Sequence, residues 1–112
     1  MKNVSDFKKR LKVGSMLHTI YHQEFAGRDG TGEVVYKDKD RGVRKVSKVG
    51  GTQFALLTVK LNGEEADSWC SFPKASVCKI LDENTIQIFE EDNRVRDGVK
   101  PLIPILTYKF EK

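Results

Sequence analysis

The chain reads as a mostly β protein: a small antiparallel sheet, curled or closed partway into an open barrel, with a short N-terminal helix. Three observations predict it. Short runs with alternating apolar and polar residues recur from residue 15 to residue 110. Glycine-containing turns, Asn62-Gly63 the clearest, separate those runs at hairpin spacing. Only residues 4–12 carry a helical period. At 112 residues there is room for one core, so 1–112 is expected to be a single domain. Curling is the simplest way for so small a sheet to limit its exposed edges.

The elements follow in order. Asn3 caps a helix over 4–12, with Asp6 in its first turn. Val4, Phe7 and Leu11 share one face while Lys8, Lys9 and Lys12 face water, and Gly14 ends it. So short a helix does not persist alone, so Phe7 and Leu11 must dock on the sheet. Ser15 to Gln23 alternates as a strand, and Gly27, Gly30 and Gly32 mark a flexible loop before a short strand at Val34-Val35-Tyr36. Val43, Val46 and Val49 recur every third residue, which fits a strand with a bulge near Arg44-Lys45. Thr52 to Leu61 is apolar on both faces and is expected to be the most deeply buried strand.

Asn62-Gly63 suits a type I′ turn and joins that strand to Glu65–Phe72. Pro73 breaks the pairing, and Val77–Leu81 and Thr85–Glu90 form the next hairpin across Asp82-Glu83-Asn84. The β core thus spans 15–90. Residues 91–101 are polar and read as a mobile loop. A last strand, 103–110, begins beside Pro101 and Pro104 and is expected at an edge or as the closing strand of a barrel.

Composition narrows the function. Six Phe, three Tyr and one Trp, with 38% hydrophobic content, argue for a folded chain. No run of about 18 apolar residues is present, nor the apolar core of a secretory leader, so a cytoplasmic protein without a membrane partner is expected. Cys70 and Cys78 are then expected to be reduced thiols. Charge is uneven: residues 1–60 hold 13 basic and 6 acidic side chains, while residues 61–112 hold 7 and 10. Such a field attracts polyanions or an acidic protein surface.

Motifs for chemistry are weak. His18 and His22 share a strand face and could join Cys70 and Cys78 around zinc, but four residues of strand separate them by roughly 13 Å. Asp38-Lys39-Asp40-Arg41-Gly42 opens like a calcium loop, yet Val49 stands where the bidentate glutamate is needed. The glycines at 27, 30 and 32 lack the Gly-Lys-Ser/Thr ending and following helix of a phosphate cradle. Cys70 with His18 or His22 and Asp67 is the only nucleophile set, and alternation points Asp67 away from Cys70. No cofactor, metal or catalytic residue is expected.

The pattern with most content is basic residues interleaved with aromatics. Arg28, Lys37, Lys39, Arg41, Arg44, Lys45 and Lys48 are candidates to follow a phosphate backbone, and Tyr21, Tyr36 or Trp69 to stack on bases. Asp29, Asp38 and Asp40 dilute that charge along the sequence.

Phe7-Lys8-Lys9-Arg10-Leu11 with Val13-Gly14 and His18-Thr19, Asp40-Arg41-Gly42-Val43-Arg44, Asp67-Ser68-Trp69-Cys70, Pro73-Lys74-Ala75 and Pro104-Ile105-Leu106-Thr107-Tyr108 together resemble short phage and prophage accessory proteins of Gram-positive bacteria. The resemblance spans most of the chain and brings no catalytic or binding residues. It implies a mobile-element accessory protein acting in the host cytoplasm, a class that includes anti-CRISPR inhibitors of host defence as well as nucleic-acid-handling factors. Three functions follow: a non-enzymatic module engaging nucleic acid or a nucleoprotein complex through a basic face; an inhibitor docking on a host protein through Trp69, Phe72 or Tyr36; and, least favoured, a zinc or thiol enzyme.

Overall fold

The computed structural model describes residues 1–111. Helix α1 (Val4–Arg10) precedes seven strands: β1 (Met16–Arg28), β2 (Val34–Val49), β3 (Gln53–Val59), β4 (Glu65–Ser71), β5 (Cys78–Asp82), β6 (Thr85–Glu91) and β7 (Leu102–Glu111). All neighbours pair antiparallel in one sheet of order β4-β3-β2-β1-β7-β6-β5. The sheet is curled and open, with β4 and β5 as its edges.

Aromatic packing shows how strongly it curls. Strands β3 and β7 stand three spacings apart, roughly 14 Å in a flat sheet. Yet the rings of Phe54 on β3 and Tyr108 on β7 meet at 5.7 Å between centroids. Phe7 of α1 fills the hollow so formed. Its fully buried ring contacts Phe54, Phe72, Tyr108 and Phe110 at 5.6–6.3 Å. Leu11, Leu17, Val46, Leu56 and Ile86 complete the core on this concave side.

The helix is two residues shorter than expected but capped as expected. Asn3 Oδ1 accepts from the Asp6 amide at 3.0 Å, and Asp6 accepts from the Lys2 amide at 2.8 Å. Arg10 pins the other end to the β5–β6 turn, donating to Glu83 O at 2.6 Å and Asn84 Oδ1 at 2.7 Å. Its guanidinium also lies 4.3 Å from the Phe110 ring centroid.

Several expectations are corrected. The short strand at 34–36 and the bulged strand after it are one strand, β2, and β1 runs on to Arg28. The bulge lies at Arg41-Gly42, where the register moves from Ile20 opposite Asp40 to His18 opposite Val43. Gly42 holds φ +76°, a conformation that costs an L side chain, which fixes the bulge there and not at Arg44-Lys45. A second register shift separates Val46 from Lys48 on the β3 side.

The Asn62-Gly63 turn is not type I′, since no residue other than glycine has positive φ among those described. The Gly63 amide donates to Lys60 O and Lys60 to Glu64 O, which gives a type I turn followed by Gly63 at φ +85°. Asp29–Glu33 at the β1–β2 tip repeats this pattern, with Gly32 at φ +84°.

Strand β3 is buried only at Phe54, Ala55 and Leu56. Its pairing with β2 ends there, and the β3–β4 hairpin projects beyond, leaving Val59 66% exposed. Strand β7 lies inside the sheet between β1 and β6, not at an edge. Pro104 is tolerated because the β1–β7 ladder stops at Tyr21 opposite Leu106, and the β6–β7 register shifts where Pro104 opposes Phe89.

Two projecting hairpins make the molecule extended. Its radius of gyration is 15.6 Å, against about 13 Å for a compact chain of about this length. Residues 34–45 of β2 pair with β1 alone, so one edge of that stretch is open.

Candidate functional site

Opposed residues in an antiparallel pair share a face, so the ladders fix where each charge points. Leu17 belongs to the concave core and opposes Arg44, while Tyr21, two pleats along, opposes Lys39. Lys37, Lys39 and Arg41 therefore alternate on the concave face, and Arg44 returns to it across the Gly42 bulge. Asp38 and Asp40 fall on the convex face, where His22 Nδ1 stands 2.8 Å from Asp38 Oδ1 and His18 Nε2 stands 2.7 Å from Asp40 Oδ1. A strand with six basic and two acidic residues thus lines up Lys37, Lys39, Arg41 and Arg44 on its concave side, while Asp38 and Asp40 share the convex side with Lys45.

The convex pairs are straps across the sheet. His22 Nε2 also lies 2.5 Å from Thr107 Oγ1, to which Gln87 donates at 3.4 Å, so one line joins β2, β1, β7 and β6. Asp, His and a hydroxyl in this order have the connectivity of a nucleophilic triad. Thr107, however, is 8% exposed within a central strand, closed to any substrate. His18 has Asp40 on one ring nitrogen and Glu111 at 3.6 Å from the other, on opposite sides of the imidazole. Carboxylates so placed cannot share one ion with it. Among the described residues no group of three His, Cys, Asp or Glu is arranged to hold a metal.

Cys70 opposes Phe54 on β4 and so faces the concave side, away from both histidines. Asp67 is taken by Ser47 Oγ at 2.7 Å and Lys48 Nζ at 2.9 Å. Burial raises the Cys70 thiol above its ordinary pKa and keeps it protonated, with contact to Tyr108 and the charges of Arg44 and Arg41 opposing the shift. Burial likewise raises the Tyr108 phenol, and the neighbouring Cys70 adds to the shift. Cys78 is also a free thiol whose pKa is raised by burial. Among the described residues no hydrogen-bonded base reaches either sulfur.

The other candidates scatter. Arg28 donates to Gly32 O at 2.7 Å and braces its own turn. Lys45 opposes Met16, on the face opposite Arg44. Lys48 is paired with Asp67 and lies 5.9 Å from the Trp69 ring centroid. Lys39 pairs loosely with Glu24 at 3.8 Å. Tyr21 carries the Arg41 guanidinium 4.5 Å from its centroid, and Tyr36 carries Arg94 at 4.3 Å. Neither ring offers that face for stacking. Arg94 is itself fixed by Asp92 at 2.6 Å, and the Asp92 amide donates to Pro101 O at 2.8 Å, which closes the base of the 92–101 loop.

Trp69 is 52% exposed. It opposes Ala55 and so points to the convex face, beside Lys48, at the rim of a cavity of about 430 Å³ that lies between β4 on one side and β6 and β7 on the other, where the curled sheet fails to close. Phe72, Ile88, Leu106 and Tyr108 give it an apolar lining, and Lys74 and Glu90 supply its charged groups. Sequence reasoning identified Trp69 but not the cavity, because Ile88, Leu106 and Tyr108 carry ordinary strand periodicity. Only the curl brings them opposite β4.

No protein-family model matches the chain, and no curated protein or solved structure is significantly similar to it. Among the described residues no helix is long and apolar enough to cross a membrane.

Proposed function

We propose that the protein is a non-enzymatic binding module that engages nucleic acid, alone or within a nucleoprotein complex, through the concave face of β2. The observation that carries this reading is the alignment of charge on that strand: Lys37, Lys39, Arg41 and Arg44 share one face with no acidic residue of β2 among them, whereas Asp38 and Asp40, tied to histidines, lie on the other face with Lys45. Aligned cations attract a phosphate backbone and displace its counterions, whereas intermixed ones largely cancel. The phage-accessory resemblance agrees with such a role in a host cytoplasm. With four phosphates neutralised on a single strand, log affinity falls against log salt with a slope of about −2.8. Between 50 and 200 mM salt the loss is then roughly 50-fold, measurable by anisotropy of a labelled oligonucleotide. Absence of binding to DNA and RNA at 50 mM salt would falsify the proposal.

A second reading, an inhibitor docking on a host protein as anti-CRISPR proteins do, draws on the half-exposed Trp69 beside an apolar cavity. Of its other anchors, Phe72 packs on Phe7 and Phe54, and Tyr36 lies under Arg94. A partner recovered from host lysate after nuclease treatment, and lost in Trp69→Ala, favours this reading over the first.

A further inference from the structure

We propose that the cavity inside the curled sheet is a binding site for a small amphipathic anion, with its apolar tail or ring seated between β4 and β7 and its carboxylate held by Arg44 and Arg41. The inference goes beyond the nucleic-acid reading, shares only those two arginines with it, and stands or falls separately.

The hollow of the sheet is only half filled. Phe7 enters it from α1, and its ring meets Phe54, Phe72, Tyr108 and Phe110. On β7 those ring contacts stop at Tyr108. The next inward pair, Leu106 on β7 opposite Ile88 on β6, stays half-buried. With Phe72, Pro73 and Val77 from the far wall, these two residues line the cavity of about 430 Å³, which falls within the size range of small-molecule sites. Apolar walls around such a hollow favour an apolar occupant in proportion to the area it removes from water.

The charge beside the cavity is positive. Leu106 opposes Tyr21 on β1, and the Arg41 guanidinium lies 4.5 Å from the Tyr21 ring centroid. Leu17 opposes both Arg44 and Phe110, so β2 and β7 stand two spacings apart, roughly 10 Å before the sheet curls. An arginine side chain crosses much of that distance. The charges of Arg44 and Arg41 accordingly reach Cys70 and Tyr108 on the cavity wall. Among the described residues neither arginine is in an ion pair. Lys74 and Glu90 on the lining offset one another, which leaves the arginines to set the sign of the ligand. A guanidinium fork matches a carboxylate with two parallel hydrogen bonds, and partial shielding from water strengthens them.

Calorimetric titration of the full chain at neutral pH compares decanoate with decan-1-ol, decylammonium and octanoate, each below its micelle concentration. The expected result is saturable binding of decanoate, about 10-fold or more tighter than that of the neutral or cationic head group. Octanoate, two methylenes shorter, should bind on the order of 10-fold more weakly than decanoate. Methyl NMR spectra should show Val77, Ile88 and Leu106 shifting together as decanoate saturates. Arg44→Gln should lose about 10-fold in decanoate affinity and less than about threefold in decan-1-ol affinity. Circular dichroism checks that this variant keeps the sheet, and the head-group and NMR comparisons on the unaltered chain are decisive without it. Absence of saturable decanoate binding, equal affinity for the three head groups, or methyl shifts confined to residues outside the cavity overturns the inference. The nucleic-acid reading is untouched by any of these results.

Discussion

Phe7→Ala tests how the helix and the curled sheet depend on each other. Phe7 is fully buried and touches four other rings, drawn from β3, β7 and the residue that follows β4. Truncating a buried Phe costs about 3–5 kcal/mol through lost transfer energy and the cavity left behind. A domain of this size has about 5–15 kcal/mol in total. With a urea dependence of about 2 kcal/mol per molar, a loss of about 4 kcal/mol moves the unfolding midpoint down by about 2 M. Trp69 fluorescence during urea titration measures it. Phe7→Leu, which keeps most of the apolar volume, should cost only about 1.5 kcal/mol. If Phe7→Ala costs less than about 1 kcal/mol, the helix does not fill the hollow and the account of the curl is wrong.

Other perturbations probe separate features. Gly42→Ala meets no steric obstacle, yet the +76° φ should cost about 1–2 kcal/mol; an unchanged urea midpoint would place the bulge elsewhere. The Thr19 hydroxyl is buried without a hydrogen-bond partner among the described residues, so Thr19→Val should raise stability by about 1 kcal/mol, and a loss of that size would mean the hydroxyl is satisfied. Asp40, Asp29 and Asp82 are held below the usual carboxylate range, chiefly by the Gly42 amide, the Thr31 hydroxyl and the Asn84 amide respectively. Their folded values lie below their unfolded ones, so this stabilisation is complete above about pH 5 and is lost as pH falls below about 4. A urea midpoint that stays level into that acid range contradicts it, and Asp40→Asn should shallow the decline.

Much of the fold is legible in the sequence because turn chemistry and period-two patterning are local. Asn62-Gly63 and the glycines near residue 30 mark the two long hairpins, and Asn3 marks the helix start. What escapes is tertiary. Strand β2 looks like two pieces because both faces of residues 34–45 are largely exposed, leaving no apolar alternation to read. Pro104 suggests an edge because nothing in the sequence shows that the β1 ladder covers β7 only from Leu106 onward, two residues after it. The candidate site is half legible: the lysines and arginines are evident, but Asp38 and Asp40 read as diluting them. Strict alternation from Lys37 to Arg41 already separates the signs once that segment is known to be a strand. The cavity has no sequence signature, because its walls come from β4, β6 and β7 and meet only through the curl.

The central assertion, that a polyanion is met by the inner surface of β2, is tested most directly by reversing charge on each face of that strand in turn. Lys39→Glu and Arg44→Glu lie inward, while Lys45→Glu, next along the chain, lies outward. The account predicts that either inward reversal lowers single-strand affinity at 50 mM salt by 10-fold or more, on the order of 1.4 kcal/mol, and that the outward one changes it by less than about threefold. Equal losses from all three would show that only net charge matters, and the concave interface would have to be abandoned.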